Sequence, residues 1–197
     1  MVANSTLEFL KTRRSVLARN MTEPGPSADG LRDILSAATR VPDHGKLAPW
    51  HLVVLQDEAR TSLGQIGADA LFAKEDEKRV DAYATSAAQF LRAPCVIAVL
   101  ACPKTHPKIP RSEMILSAGA VCMTLLTAAQ SLGFAAQWLT GDVAYEPAVL
   151  KALGGQSGDE IAGFIYIGTP AQAPSERARP ALDDVVHFGL PNLSSGQ

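Results

Sequence analysis

The sequence predicts one α/β or α+β domain in which helices cover a sheet of short, buried strands. Three observations lead there. Helical apolar spacing alternates along the chain with short runs that are apolar throughout, among them Cys95–Leu100 and Ile161–Ile167. No internal repeat and no linker divides the 197 residues, a length sufficient for one core. The composition is globular, with 47% apolar and 19% charged residues; aromatics are only 6% while alanine is abundant, which suits helices that approach closely.

Each element has a local reason. Thr6 to Lys11 reads as a short helix behind a Ser5 or Thr6 cap, running into Arg13-Arg14-Ser15. Glu23-Pro24-Gly25-Pro26 is a loop, because two prolines and a glycine stop both helix and strand. Ser27 caps a second helix with Leu31, Ile34, Leu35 and Ala38 on one face; it stops near Val41-Pro42, since proline disfavours helical geometry in the residue before it. The loop Pro42 to Lys46 and the run Pro49-Trp50-His51 lead into a strand, Leu52 to Leu55. Asp57 to Lys74 and Glu75 to Leu91 read as a mobile, exposed helical pair whose junction, Lys74 to Arg79, is a solvated charge cluster. Ala93-Pro94 opens the strand Cys95 to Leu100. Ser112 to Leu132 is a long helix, apolar on nearly every side and so expected to be buried all round, part of that burial being most economically supplied by a second subunit. Gly133 ends it. Phe134 to Leu139, Glu146 to Leu153 and Ile161 to Ile167 follow as strand, short helix and strand; the remainder, from about residue 171, is an extended tail that wraps a neighbour or stays loose.

Several function classes find no support. A net charge of -2 argues for neither a nucleic-acid partner nor a solvating acidic tail. The three cysteines are odd in number, lack a C-x-x-C pair and lie in apolar runs, so they read as small buried hydrophobes in a reducing cytoplasm. Met1 to Leu10 does not read as a signal peptide, and apolar runs of about ten residues are shorter than a membrane span, so a soluble cytoplasmic protein is expected. No G-x-G-x-x-G, P-loop, H-E-x-x-H or G-x-S-x-G occurs, and no metal site is expected.

Three segments carry chemistry. Arg13-Arg14-Ser15 places two guanidinium forks and a hydroxyl in one turn, suited to a phosphate. Arg40-Val41-Pro42-Asp43-His44, with Pro49-Trp50-His51 behind it, holds a cation and an imidazole on a proline-framed loop. Trp138-Leu139-Thr140-Gly141 is a buried strand breaking into a loop, where backbone groups and a hydroxyl are free for a ring or a phosphate. Taken singly, each has a plain structural alternative: an exposed basic turn, a turn closed by Asp43 and His44, and an ordinary strand end.

Taken in order, the segments resemble the FMN-dependent nitroreductase family, in particular its small branch. The resemblance runs from about Leu7 to Pro170: a helix, R-R-S, a helix ending in R-x-P-D-H, P-W-H and a strand, a long apolar helix, W-x-[ST]-G, and a strand G-F-x-Y-x-G-T-P. It implies an α+β fold of three layers, α/β/α, with a central, mostly antiparallel sheet flanked by helices and a dimer whose subunits share extensive helical surface. Two FMN molecules would sit at the subunit interface. Arg13, Arg14 and Ser15 would bind the FMN phosphate and ribityl chain, Trp138, Leu139 and Thr140 would contact it from the same subunit, and Arg40 and His44 would reach it from the other. Leu139 departs from the pattern, since the small branch often carries arginine there. Other family members bring basic residues from the C-terminal region to the phosphate; Arg177 and Arg179 match that poorly and are left out of the expected site.

The chemistry so implied is a ping-pong oxidoreductase. NADH or NADPH delivers hydride to the flavin N5, and a nitroaromatic, quinone or similar small oxidised acceptor then takes its place. No side chain is assigned as catalytic; Arg14 or Arg40 would stabilise negative charge near the flavin N1, and His44 would hold the flavin, with donation of one proton as its alternative role. Asp57 to Leu91 would lid the pocket. Other readings are a flavin-binding redox sensor or carrier without turnover, a related flavin reaction such as enone reduction, dehalogenation or flavin fragmentation, and a structural domain with no ligand.

Overall fold

The molecule is a computed structural model that describes residues 5–73 and 80–190. In chain order the elements are α1 (Ser5–Thr12), β1 (Met21–Thr22), α2 (Ala28–Ala38), β2 (Trp50–Leu55), α3 (Asp57–Phe72), α4 (Val80–Ala87), β3 (Cys95–Ala101), α5 (Arg111–Ser131), β4 (Ala135–Leu139), α6 (Pro147–Ala152), β5 (Glu160–Pro170) and α7 (Leu182–Val185). The charge cluster Lys74 to Arg79 lies outside the described residues.

Every pairing in the sheet is antiparallel. β5 lies at its centre, paired with β3, β4 and β1, and β2 adds to the free edge of β3. All seven residues of β3 are buried, as a strand without alternation demands. Since successive side chains point to opposite faces, β3 and β5 divide the core into two halves. Val96, Ala98, Leu100, Phe164 and Tyr166 face one way, where they pack with Leu63 of α3, Phe90 and Val149 of α6. Cys95, Ile97, Val99, Ile165 and Ile167 face the other, against Ile34 and Ala38 of α2 and Val121, Leu125 and Ala129 of α5. The result is the three-layer α+β architecture. Burial pushes the Cys95 and Cys122 thiols up to about 12 and that of Cys102 to about 11, so all three stay protonated at neutral pH.

The differences from expectation are local. Ser27 caps α2 as expected, its hydroxyl accepting from the Gly30 N–H at 3.2 Å, but the helix ends at Ala38, earlier than Val41-Pro42. β1 is only two residues long and has no periodicity to betray it. The two helices after β2 are not an exposed pair. α3 buries Leu63, Gly64, Gly67, Ala68 and Phe72, whereas α4 buries no residue. Gly64 permits the crossing of α3 and α4, for a Cβ there would lie 2.0 Å from the Ala87 carbonyl oxygen. α5 is covered by its own chain on one side only, the remaining burial having been expected from a second subunit. It packs through Met114, Ser117, Ala118, Val121, Cys122, Leu125, Leu126 and Ala129, and leaves Leu116 72% and Met123 37% exposed. By length and composition α5 is long and apolar enough to cross a membrane; here one side of it covers the sheet.

Ser117 is the one buried polar side chain among the described residues. Its hydroxyl accepts from Trp50 Nε1 at 3.1 Å and donates to the Pro42 carbonyl at 2.7 Å, tying β2 and the loop after α2 to α5. Two expectations follow from this packing. Ile97→Ala, at a fully buried position, costs about 2–5 kcal/mol in denaturant unfolding. Ser117→Ala leaves the Trp50 N–H and the Pro42 carbonyl without their partner, at about 1–3 kcal/mol by the same measurement.

Candidate functional site

The Arg13-Arg14-Ser15 turn leaves α1 with the Arg13 N–H on the Phe9 carbonyl and joins the sheet where the Val16 N–H reaches the Ala136 carbonyl at 3.3 Å. Gln130, in the last turn of α5, fixes the turn from below. Its Oε1 accepts from Arg13 Nε at 2.9 Å and its Nε2 donates to the Arg14 carbonyl. Arg13 also donates to the Ser15 hydroxyl at 3.3 Å. Gln137 of β4 accepts from the Ala18 N–H at 2.6 Å and closes the far wall.

Arg13, Arg14, Ser15 and Gln137 border a cavity of about 920 Å³ whose other walls include Arg19 and the segment after β5, with Arg177 and Arg179. Five guanidinium groups thus line one space. Among the described residues a single carboxylate is ion-paired to any of them, that of Glu176 to Arg14. Burial, helped by Arg179 and Arg14, holds the Arg13 guanidinium below its ordinary value. The Glu176 carboxyl is held below the carboxylate range by the Arg177 backbone N–H and then by Arg14. The neighbouring arginines contribute to both shifts after these leading causes, and so many cations around one space would favour an anion. A second cavity of about 570 Å³, with Phe9, Phe134, Pro170 and Pro174 among its walls, adjoins on the other side of Arg13 and Arg14.

Arg40 and His44 form a separate cluster. His44 Nδ1 lies 2.7 Å from Glu113 Oε2 in the first turn of α5. The loop beneath is preformed: the Asp43 carboxylate accepts from the Leu47 and Ala48 N–H groups at 3.0 and 2.8 Å, and Gly45, Lys46 and Ala48 all adopt positive φ. Asp43 therefore does close the turn, and His44 is left at the surface, its side chain 60% exposed. The Arg40 side chain has no hydrogen bond or ion pair among the described residues. Glu113 and Gln130 sit near opposite ends of α5, about 25 Å apart at 1.5 Å per residue. Within one chain, then, Arg40 and His44 do not meet Arg13, Arg14 and Ser15.

The strand-end segment divides by pleat. Leu139 packs toward the α3 and α6 layer, beside Gln137, and lines a smaller cavity of about 330 Å³ with Leu17, Ala18, Arg19 and Arg92. Trp138 lies on the α5 side, 38% exposed, with Nε1 donating to the Ala162 carbonyl at 3.1 Å. Its indole lies against Gly163, where a Cβ would come within 2.0 Å of Nε1, so glycine is needed there. Thr140 is half-buried, just before Gly141, whose φ of 69° turns the chain out of the sheet. None of Trp138, Leu139 and Thr140 borders the arginine-lined cavity; Gln137 does.

Sequence reading passed over Gln130, Gln137 and Arg19. A glutamine in the otherwise apolar run Ala135 to Leu139, and another closing an apolar helix, were the available signals. Arg177 and Arg179, set aside for want of a motif, do line the cavity.

Comparison with known proteins gives a consistent result. The family model described as Nitroreductase family matches residues 10–169. YdjA of Escherichia coli (strain K12), named as an NAD(P)H nitroreductase, is 38% identical over 166 residues, covering 83% of this chain and 87% of that one. A protein of Haemophilus influenzae with the same enzymatic name is 35% identical over 176 residues, 88% of this chain and 92% of that one. Among solved structures, a nitroreductase-like family protein from Bacillus cereus superposes with a TM-score of 0.81 at 25% identity, over 95% of this chain and 97% of that one. An FMN complex from Desulfovibrio desulfuricans superposes with a TM-score of 0.71 at 25% identity, over 96% of this chain and all of that one, 100%. With the antiparallel three-layer sheet and the order of its motifs, this chain belongs to the nitroreductase family.

Proposed function

We propose that this chain, as a single domain, is an FMN-dependent oxidoreductase that draws hydride from NAD(P)H and reduces a nitroaromatic, quinone or similar small acceptor in a ping-pong cycle, as a homodimer in the cytoplasm. The carrying observation is the convergence of Arg13, Arg14, Arg19, Arg177 and Arg179 on one cavity, in a chain of this family, with Glu176 the one carboxylate ion-paired to them among the described residues. That is a site short of negative charge, and guanidinium forks match phosphate oxygens in pairs. Its volume of about 920 Å³ is in the range of small-molecule sites. The names of the relatives and the FMN held by the Desulfovibrio desulfuricans structure support the choice of ligand.

When bound, FMN supplies the hydride chemistry. The chain's part is positional. Arg13, fixed by Gln130, and Ser15, whose hydroxyl accepts from Arg13, would hold the phosphate end, with Arg14, Arg177 and Arg179 around it. Trp138, Leu139 and Thr140, which lie outside that cavity, would contact the ribityl and ring portion where it extends past Gln137. Arg40 and His44 come from a second copy. The geometry supports this last assignment, because the two clusters occupy opposite ends of α5 and a two-fold axis that pairs α5 with its copy in antiparallel fashion brings unlike ends together. The surface available for such pairing carries Leu116, Gly119, Ala120 and Met123 at helical spacing, with Trp138 at its border. The helices α3 and α4 are the candidates for shaping acceptor choice.

Two experiments test this reading. The purified protein is expected to retain or take up FMN, show flavin absorbance, and bleach anaerobically with NADH or NADPH; Arg13→Ala should lose about 1.5–3 kcal/mol of FMN binding by fluorescence titration. A colourless protein that refuses added FMN would end the proposal. Leu116→Glu, at a 72% exposed position, should leave the single chain folded but shift light scattering from dimer to monomer and lower FMN retention in parallel. A variant that stays dimeric and fully loaded would remove α5 from the interface.

A further inference from the structure

The segment that follows β5 has an unusual attachment. Residues 171–190 are exposed throughout. Beyond the Ala171 N–H on the Asn20 carbonyl, the hydrogen bond that ties residues 172–180 to the rest of the chain, among the described residues, is that of Arg14 to the Glu176 carboxylate. The two partners differ sharply: the Arg14 side chain is 15% exposed and that of Glu176 81%. A side chain reaching in from solvent thus neutralises a guanidinium set well into the cavity wall. Arg19, Arg177 and Arg179 line the same space with no acidic partner among the described residues.

We propose that Glu176 is an internal stand-in for the ligand's phosphate, a counterion that holds Arg14 until a phosphorylated flavin displaces it and that thereby sets how far the site discriminates phosphorylated from unphosphorylated flavin. The inference rests on the flavin reading above and adds a specificity-determining residue to it. A carboxylate and a phosphate monoester offer the same kind of acceptor oxygens to a guanidinium fork. One carboxylate brings a single charge, whereas a phosphate near neutral pH brings close to two and one oxygen more. With several unpaired arginines around it, the phosphate wins the exchange. Releasing Glu176 costs little, because its side chain already stands in water, where ion pairs are weak. Riboflavin carries no phosphate and leaves the Glu176–Arg14 pair in place.

The test is Glu176→Gln, which keeps the side-chain shape and an acceptor for the Arg177 N–H while removing the charge. Protein stripped of flavin is titrated in parallel with FMN and with riboflavin, following flavin fluorescence, and the FMN titration is repeated in inorganic phosphate. The variant should bind FMN roughly two- to fivefold more tightly, the range of an exposed ion pair, with riboflavin affinity unchanged and with phosphate competing at lower concentration. Unchanged or weaker FMN binding, with Arg13→Ala still weakening it, would overturn the counterion role and leave the flavin site standing. Equal tightening of both flavins would also overturn it, since it would report a loosened tail and no phosphate competition. If the wild-type protein takes up neither flavin, the site itself is lost and this role with it.

Discussion

The burial of β3 and β5 on both faces is the constraint from which the other arrangements descend. A sheet with an apolar surface on each side has to be covered twice, and the chain meets this with α2 and α5 on one face and α3, α6 and the turn around Phe90 on the other. That layering places α5 flat on the sheet and leaves its far side, Leu116 and Met123 included, without cover from its own chain. It also sends the turn after α1 to one end of α5 and the loop after α2 to the other, while the end of β4 reaches back along the helix to Gly119. The half-sites are therefore separated by the same packing that makes the core.

The two half-sites are built on different principles. The Arg40–Ala48 loop is fixed by covalent geometry and hydrogen bonds, two prolines nearby and an Asp43 carboxylate on two backbone N–H groups within the loop, and by one long-range tie, the Ser117 hydroxyl on the Pro42 carbonyl. Its shape needs no ligand. The arginine-lined cavity is instead organised by charge. Gln130 orients Arg13 through Nε, which leaves most of the guanidinium fork unspent, and among the described residues the C-terminal segment is drawn across by one ion pair, Glu176 to Arg14. Such a wall responds to ionic strength and to anions in a way that the loop does not.

Much of this was legible in the sequence. The unbroken apolar runs disclosed β3 and β5, and Ser27 disclosed the start of α2, because burial on two faces and capping are local signatures. The motif order disclosed the family and the antiparallel three-layer fold. What stayed hidden depended on distant partners. The packing of α3 turns on Gly64, Gly67 and Ala68, small residues whose value shows only when Ala87 and Val143 are set beside them. The open side of α5 could not be told from its buried side, since both are apolar. At the site, Arg13, Arg14 and Ser15 were readable as a compact turn, but Gln130 and Gln137 are 117 and 119 residues from the groups they bond, and Arg177 and Arg179 reach the cavity only through the path of the tail.

The contact of Trp138 with Gly163 carries one more implication. The indole stands in the volume that a side chain at 163 would occupy, and its N–H serves the carbonyl of the preceding residue. The two positions consequently behave as a single steric unit: bulk at one requires its removal from the other. Sequences that share this architecture should exchange large and small residues across that pair of neighbouring strands together, and an engineer reshaping the rim of the sheet would have to alter both at once.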